Sequence, residues 1–153
     1  MKAFIGYASM SGNTEDIASI LYKSLERNGY EVHKEELDTV DAVSLLEYDL
    51  IFIGAYTWGD GDLPYEVEDF YEELQDVMYE GKIVGCFGSG DRSYPKFCAA
   101  VDLLANKFAD QKAEVFPTLL KIEGNPMDEN QEQECTEYIE SILQWRSENR
   151  HAS

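Results

Sequence analysis

The stretch AFIGYASMSGNT, residues 3–14, decides the fold expected for this chain, because an apolar run leads directly into a polar loop. The apolar part, residues 3–7, is nearly continuous rather than alternating, which is typical of a parallel strand covered on both faces. The polar part precedes a helical pattern and offers three hydroxyls, an amide side chain and a glycine. This order predicts a strand that passes through a loop into a helix, the start of a β–α–β unit.

The polar loop has the composition of a phosphate site without a cation. Its residues are Ser9, Met10, Ser11, Gly12, Asn13 and Thr14. Hydroxyls, an amide and backbone N–H groups at a helix N-terminus satisfy phosphate oxygens, and the helix dipole favours their negative charge. The sequence has neither the lysine-containing loop of nucleoside-triphosphate sites nor the glycine pattern of dinucleotide sites. The alternative interpretation is a polar turn that only caps a helix.

Further apolar runs alternate with helical patterns along the chain. Residues 50–56 and 83–87 predict central strands. Residues 30–37 predict one edge strand, and residues 115–122, interrupted by Pro117, predict the other. Helical stripes with three- and four-residue spacing are formed by Ile17, Ile20, Leu21 and Leu25; by Val67, Phe70, Tyr71, Leu74, Val77 and Met78; by Val101, Leu104, Ala105 and Phe108; and by Cys135, Tyr138, Ile139 and Ile142. We therefore expect a doubly wound α/β domain.

Size and charge favour one acidic domain that spans residues 1–153. The formal net charge of −19 makes nucleic acid and anionic membranes poor partners, and it favours encounters with basic proteins. The sequence shows no secretory leader and no apolar stretch of membrane-spanning length, so we expect a cytoplasmic protein.

The cysteines and histidines do not have the spacing of a metal site. Cys86, Cys98 and Cys135 lie far apart, which favours free thiols, and the patterns around Cys86 and Cys135 place these two in the core. The two histidines, His33 and His151, are isolated. We therefore expect no bound metal.

Two more loops follow the predicted third and fourth strands, at the sheet edge where doubly wound domains bind ligands. The first contains Thr57, Trp58, Gly59, Asp60, Gly61 and Asp62, and the second contains Gly88, Ser89, Gly90, Asp91, Arg92, Ser93 and Tyr94. Flanking glycines and aspartates place Trp58 at the surface, and Tyr94 holds the equivalent position in the next loop. Two rings from neighbouring loops favour a planar ligand between them, although either ring alone is equally consistent with packing onto its own loop.

These three loops, in this order, resemble those of short-chain bacterial flavodoxins. The resemblance covers the whole chain and includes the sequel Phe97-Cys98-Ala99-Ala100-Val101-Asp102. It implies a flavodoxin-like three-layer sandwich, in which helices cover both faces of a five-stranded parallel sheet of order 2-1-3-4-5. It also implies FMN as the cofactor, whose terminal phosphate suits the uncharged loop.

The resemblance implies a cofactor-binding role for Ser9, Met10, Ser11, Gly12, Asn13, Thr14, Thr57, Trp58, Gly59, Asp60, Gly90, Asp91, Tyr94, Lys96, Phe97 and Cys98. Trp58 is expected to cover the inner face of the flavin and Tyr94 its outer face. Backbone groups near Asp91, Lys96 and Cys98 are expected to contact the pyrimidine edge. Ser11 stands where threonine is commoner in the family, and it keeps the hydroxyl.

The resemblance further implies a low-potential one-electron carrier that cycles between FMN hydroquinone and neutral semiquinone. Gly59 is the expected redox switch, because glycine reaches backbone angles that let its peptide flip towards the reduced flavin. Acidic residues around the flavin, Asp60, Asp62 and Asp91, are expected to disfavour full reduction, because it tends to leave an anion at the flavin N1.

The expected carrier is a monomer and not an enzyme. An NAD(P)H-dependent flavodoxin or ferredoxin reductase is expected as donor, and a cytochrome P450, a desaturase or a nitric oxide synthase as acceptor. The alternatives are a quinone-reductase type of FMN oxidoreductase and a specialised flavoprotein that activates another enzyme. A response-regulator receiver domain is excluded, since the first and third strands end in Tyr7-Ala8-Ser9 and Tyr56-Thr57 without the required acidic residues.

Overall fold

The computed structural model describes residues 1–93, 95–124 and 128–151. Its strands are β1 Lys2–Ala8, β2 Glu31–Glu36, β3 Leu50–Ala55, β4 Ile83–Gly90, β5 Glu114–Val115 and β6 Leu120–Glu123. Its helices are α1 Asn13–Arg27, α2 Glu68–Glu73, α3 Ala99–Asp110 and α4 Glu129–His151. Short 3₁₀ turns occur at Leu37–Thr39, Ala42–Glu47, Tyr65–Val67 and Leu74–Asp76.

The strands form one parallel sheet of order β2-β1-β3-β4-β5, which confirms the expected topology. In the register, Phe4 of β1 pairs with Ile51 of β3, and Ile53 of β3 pairs with Cys86 of β4. The chain proceeds from β1 outward to β2 and then crosses to β3 on the other side. This reversal opens a crevice beyond the carboxyl ends of β1 and β3, where such sheets bind ligands.

The predicted last strand, residues 115–122, is two strands in the structure. Val115 of β5 pairs with Val84, and Leu120 of β6 pairs with Phe87 further along β4. The break between them contains Pro117, which lacks the N–H needed for a continuous ladder. The expected edge is therefore present, with β6 attached to β4 as a sixth strand.

Alternating side chains of the sheet pack into two apolar layers. One layer joins the sheet to the buried faces of α1 and α4, and it includes Ile17, Leu21, Leu25, Cys135, Tyr138, Ile139 and Ile142. The other joins the sheet to α2 and α3, and it includes Phe70, Leu74, Val101, Leu104 and Phe108. Helices thus cover both faces of the sheet, as expected. Among the described helices, none has the length and apolar character needed to cross a membrane.

The second predicted helical stripe extends too far, because Val77 and Met78 are not helical. α2 ends at Glu73, one 3₁₀ turn follows, and Val77 has extended backbone angles. The extended segment buries the side chain of Tyr79 completely, and its hydroxyl donates to the carbonyl of Ala42 over 2.7 Å. Met78 consequently faces solvent with 52% of its surface exposed, so its prediction as a core residue was wrong.

Candidate functional site

The loop after β1 turns sharply into α1 through Gly12. Gly12 has a φ of +91°, a left-handed conformation that glycine adopts without strain. Its N–H donates to the Ser9 hydroxyl oxygen over 3.0 Å, and its carbonyl accepts the first helical hydrogen bond, from Asp16 N. The N–H groups of the first helical turn have no hydrogen-bond acceptor within the helix, because no helical turn precedes them. They are therefore available to an anion, and the Ser9 hydroxyl shapes the loop that presents them.

The side chains of this loop lie in different environments. Met10 and Ser11 are exposed, and Asn13 is half-buried. Thr14 is 1% exposed, and its hydroxyl oxygen lies 2.7 Å from that of Ser89 at the carboxyl end of β4. The loop is thus tied to a second strand that contributes to the same edge of the sheet.

The turn after β3 is a tight hairpin closed by two backbone hydrogen bonds. Trp58 N donates to the Asp62 carbonyl and Asp62 N donates to the Trp58 carbonyl, each over 2.8 Å. Gly59 has a φ of +53° and Gly61 a φ of +90°, so both glycines occupy the left-handed region. Trp58 is 53% exposed, in agreement with its predicted surface position. Glycine adopts such angles without strain, and the switch role of Gly59 stays a prediction.

Thr57 caps a helix that belongs to another part of the chain. Its hydroxyl oxygen accepts a hydrogen bond of 3.0 Å from Ala100 N in the first turn of α3. The residue at the N-cap position of α3, Cys98, makes no side-chain cap bond. Thr57 therefore fixes the loop after β3 against the loop after β4, which is a role that the sequence did not indicate.

The loop after β4 is held by its own side chains and by β6. The carboxylate of Asp91 accepts a hydrogen bond of 2.9 Å from Ser93 N, which lowers the pKa of this carboxyl. Arg92 N donates to the carboxylate of Glu123, and the Arg92 guanidinium lies 4.9 Å from the centre of the Phe97 ring. Tyr94, the predicted outer stacking residue, lies outside the described residues.

Cys98 holds a left-handed φ of +52° and is 1% exposed. Burial raises the pKa of its thiol to about 11, so the thiol is neutral near pH 7. The role of Cys98 in positioning the cofactor stays a prediction. In the described part of the chain, no three His, Cys, Asp or Glu side chains are arranged to hold a metal ion.

The three loops border two adjoining clefts at the carboxyl ends of β1, β3 and β4. The first has a volume of about 490 Å³ and is lined by Met10, Ser11, Asn13, Tyr56, Thr57, Ser89, Gly90, Asp91, Glu123 and Gly124. The second has a volume of about 440 Å³ and is lined by Met10, Thr57, Gly59, Asp60, Gly90, Asp91, Pro95, Lys96, Phe97 and Cys98. Met10, Thr57, Gly90 and Asp91 line both, so the clefts form one continuous groove.

The chemistry of the groove changes along its length. The described lining of the first cleft offers hydroxyl and amide donors and no lysine or arginine, and its two carboxylates, Asp91 and Glu123, accept hydrogen bonds from the backbone N–H groups of Ser93 and Arg92. The lining of the second combines apolar groups, among them Met10, Pro95 and Phe97, with two glycines, Lys96 and the carboxylates of Asp60 and Asp91. A molecule with a phosphate at one end and a flat ring at the other matches this order of donors. The residues present therefore fit a phosphorylated flavin.

The family model described as Flavodoxin matches residues 5–138. This chain belongs to the flavodoxin family. It is 46% identical over 144 residues to probable flavodoxin 1 of Bacillus subtilis strain 168, with 94% of this chain and 91% of the relative covered.

Solved structures agree with this assignment. The crystal structure of oxidised flavodoxin 2 from Bacillus cereus matches with a TM-score of 0.91 and 43% identity, covering 94% of this chain and 99% of that one. The Fusobacterium nucleatum flavodoxin, which was solved bound to flavin mononucleotide, has a TM-score of 0.76 at 13% identity, with 94% and 97% covered. At that identity the second match shows the shared fold alone.

The flavodoxin fold brings most of the predicted site residues to the groove. Eleven of them line it: Met10, Ser11, Asn13, Thr57, Gly59, Asp60, Gly90, Asp91, Lys96, Phe97 and Cys98. Ser9 and Gly12 are joined by a hydrogen bond within the loop of residues 9–14, and Thr14 is buried beside Ser89. Trp58 lies in the chain between Thr57 and Gly59, which both line the groove. The contacts of these residues with a cofactor remain a prediction.

Five lining residues of this flavodoxin site were not predicted: Tyr56, Ser89, Pro95, Glu123 and Gly124. The sequence placed Ser89 in the loop after the predicted fourth strand, residues 83–87, but it was not selected as a site residue; in the structure it belongs to β4, which extends to Gly90. Glu123 and Gly124 follow the last strand of the sheet, and the rule that ligands bind beyond strand ends applies to them as well. Their position after a strand end was therefore the sequence feature from which Glu123 and Gly124 could have been predicted.

Proposed function

We propose that the protein is a one-electron carrier that binds FMN in the groove described above. The loop of residues 9–14 would hold the phosphate, and the loops after β3 and β4 would hold the flavin ring between them. Bound FMN would supply redox chemistry in single-electron steps, while the protein sets the potential of each step.

One observation carries this proposal, namely the continuity of the two clefts. Met10 of the phosphate loop lines both clefts together with Thr57 and with Gly90 and Asp91 of the later loops. A phosphate bound at the start of α1 would therefore lie next to the second cleft, which the loops after β3 and β4 line. A site for phosphate alone does not need the second cleft, and a helix cap needs neither.

We further propose that the protein passes electrons to other proteins rather than turning over a small substrate. The three thiols, which are the strongest candidate nucleophiles, are buried, and their pKa values are raised to about 11 for Cys98 and about 12 for Cys86 and Cys135. None of these thiols is ionised at neutral pH. This supports a carrier whose chemistry belongs to the cofactor.

The proposed partners are basic proteins. A net charge of −19 speeds association with a positively charged surface and makes it sensitive to salt. An NAD(P)H-dependent reductase is the proposed donor, and a cytochrome P450, a desaturase or a nitric oxide synthase is the proposed acceptor. We propose that the protein acts as a monomer in the cytoplasm.

A titration of the apoprotein with FMN tests this function. Quenching of flavin fluorescence at a one-to-one ratio is expected, followed by two separate one-electron steps during anaerobic photoreduction. Absence of binding at excess FMN contradicts the proposal. A single two-electron reduction with rapid turnover of quinones would instead favour the quinone-reductase alternative.

A further inference from the structure

A buried arginine lies at the amino ends of β1 and β2, the end of the sheet opposite to the groove. Arg146 belongs to α4 and is 7% exposed, and in the described part of the chain it is the only charged side chain that is buried. Its Nη1 donates to the hydroxyl oxygen of Tyr30 over 2.8 Å and to the sulfur of Met1 over 3.0 Å. Arg146 therefore joins the last helix to the residues that precede the first two strands.

The guanidinium of Arg146 lacks a counter-charge. No carboxylate of the described residues forms an ion pair with it, and its Nε has no hydrogen-bond partner among them. Nη1 bonds to a phenol oxygen and to a thioether sulfur, and a thioether is a weak acceptor. A buried charge that is poorly compensated destabilises the folded state. A stronger acceptor at the position of the sulfur would therefore stabilise the folded protein.

Met1 presents its side chain to solvent at this contact. It is 65% exposed, whereas Arg146 behind it is buried. The backbone of Met1 is fixed beside β2, because its carbonyl accepts a hydrogen bond of 2.9 Å from Glu31 N. A small oxidant in solution therefore reaches the thioether, while the backbone holds the residue in place next to Arg146.

We propose that Met1 is an oxidation site, at which conversion to methionine sulfoxide strengthens the contact with Arg146. Hydrogen peroxide is the oxidant. The sulfur lone pair attacks one peroxide oxygen, the O–O bond breaks and an S–O bond forms, while the proton of the transferred hydroxyl passes to the leaving hydroxide. The sulfur loses two electrons, and the peroxide is reduced to one molecule of water. The polar sulfoxide oxygen then accepts a charge-assisted hydrogen bond from Arg146 Nη1.

The direction of the effect distinguishes Met1 from other exposed methionines. Sulfoxide formation commonly disturbs a folded protein, because an apolar side chain becomes polar. Met10 and Met78 are 66% and 52% exposed, and the sulfur of Met78 lies 3.8 Å from the neutral amide Nε2 of Gln111. Among the described methionines, only Met1 accepts a hydrogen bond from a cation. A gain in stability on oxidation is therefore expected at Met1 and not at Met10 or Met78.

The test uses the full chain with Met10→Leu, Met78→Leu and Met127→Leu, so that Met1 carries the only thioether. Hydrogen peroxide is the probe, and mass spectrometry confirms the addition of one oxygen to Met1. The three thiols are buried, and the same spectra check that they stay reduced. At one fixed concentration of FMN, we expect oxidation to lower the equilibrium constant for unfolding in urea about fivefold, the effect of one hydrogen bond. An unchanged or higher constant overturns the proposal.

Arg146→Leu assigns the gain to the guanidinium. In this variant of the same background, oxidation of Met1 is expected to leave the unfolding constant unchanged or to raise it. Arg27→Leu is the matched control, because it removes an exposed arginine of α1, and it is expected to keep the fivefold gain. A gain that persists in Arg146→Leu overturns the role of Arg146.

A second measurement needs no substitution at Arg146 and decides the question if Arg146→Leu does not fold. Nuclear magnetic resonance of the protein with isotope-labelled arginine follows the side-chain protons of Arg146 before and after oxidation of Met1. We expect the exchange of its Nη protons with water to become several-fold slower. Unchanged exchange overturns the proposal. The inference does not rest on FMN binding, so failure of the protein to bind FMN overturns only the proposed function.

Discussion

The ammonium group of Lys96 donates a hydrogen bond of 3.2 Å to the backbone carbonyl of Asp60, and it lies 3.5 Å from the carboxylate of the same residue. The stem of Lys96 passes over Gly61 so closely that a Cβ at Gly61 would lie 2.6 Å from the Lys96 Cδ. The glycine therefore makes room for the lysine. This contact fastens the loop after β4 to the turn that contains the predicted switch, Gly59.

Lys96→Met tests the effect of this contact on the redox potentials. The variant keeps most of the stem and removes a positive charge beside the groove, so the uptake of the second electron becomes less favourable. We expect the potential of the second one-electron step to fall by on the order of 10 mV, because Lys96 is largely solvent-exposed and the effect is screened.

Lys2→Met is the matched control, since Lys2 lies at the amino end of β1, opposite the site. Both variants are measured by anaerobic redox titration at low and at high salt. Equal shifts in the two variants would show that Lys96 acts only through the net charge of the protein. Recovery of the wild-type potential in Lys96→Arg would support the local contact.

Gly59→Ala tests the predicted switch. The φ of Gly59 is +53°, and among the described residues a Cβ there would have only the Asp62 carboxylate within 4 Å, at 3.6 Å. The substitution therefore acts through backbone strain, on the order of 1 kcal/mol, and not through a clash. We expect the potential of the first one-electron step to change, because alanine alters the balance between the two orientations of the Gly59 peptide.

Gly81→Ala is the control for this strain. Gly81 has a φ of +80° and open space around its Cβ position, and it precedes the amino end of β4. Both substitutions should lower the free energy of unfolding of the apoprotein by similar amounts. An unchanged first potential in Gly59→Ala rejects the switch role.

Trp58→Ala tests stacking on the flavin. Trp58 is 53% exposed, and the backbone bonds that close its hairpin do not depend on the indole. The hairpin should therefore survive the substitution, while FMN binding weakens by about tenfold or more through the lost stacking and burial. Tyr65→Ala, which removes an aromatic side chain that is 83% exposed, is the control. Affinity for FMN that matches the control would show that Trp58 has no stacking role.

The three thiols should resist alkylation in the folded protein. Their pKa values lie at about 11 for Cys98 and at about 12 for Cys86 and Cys135, above the value of about 8.5 for an exposed thiol. Burial thus favours the folded state below about pH 8.5, and this stabilisation is lost as the pH rises towards 11–12. At pH 8 we expect no labelling by iodoacetamide in the time that labels all three thiols of the urea-unfolded chain. Mass spectrometry measures this, and rapid labelling of native Cys98 would contradict its burial.

Prediction from the sequence succeeded where the signal was local. The apolar run of residues 3–7 became β1, and the glycine-containing loop after it became the start of α1, because periodicity and turn chemistry act over a few neighbouring residues. It was wrong at Met78, where the helical spacing continues in the sequence although the helix has ended. The burial of Tyr79 against distant parts of the chain overrides that local preference.

The sequence by itself determined the alternation of strands and helices, the acidic surface and the three loops that border the groove. Tertiary structure alone decided that Thr57 caps α3 from 43 residues away, that Ser89 stands behind the phosphate loop with Thr14, and that Lys96 reaches the Asp60 carbonyl. Each of these contacts joins segments at the carboxyl ends of different strands. Their meeting depends on the order and register of the sheet, which no short window of the sequence contains.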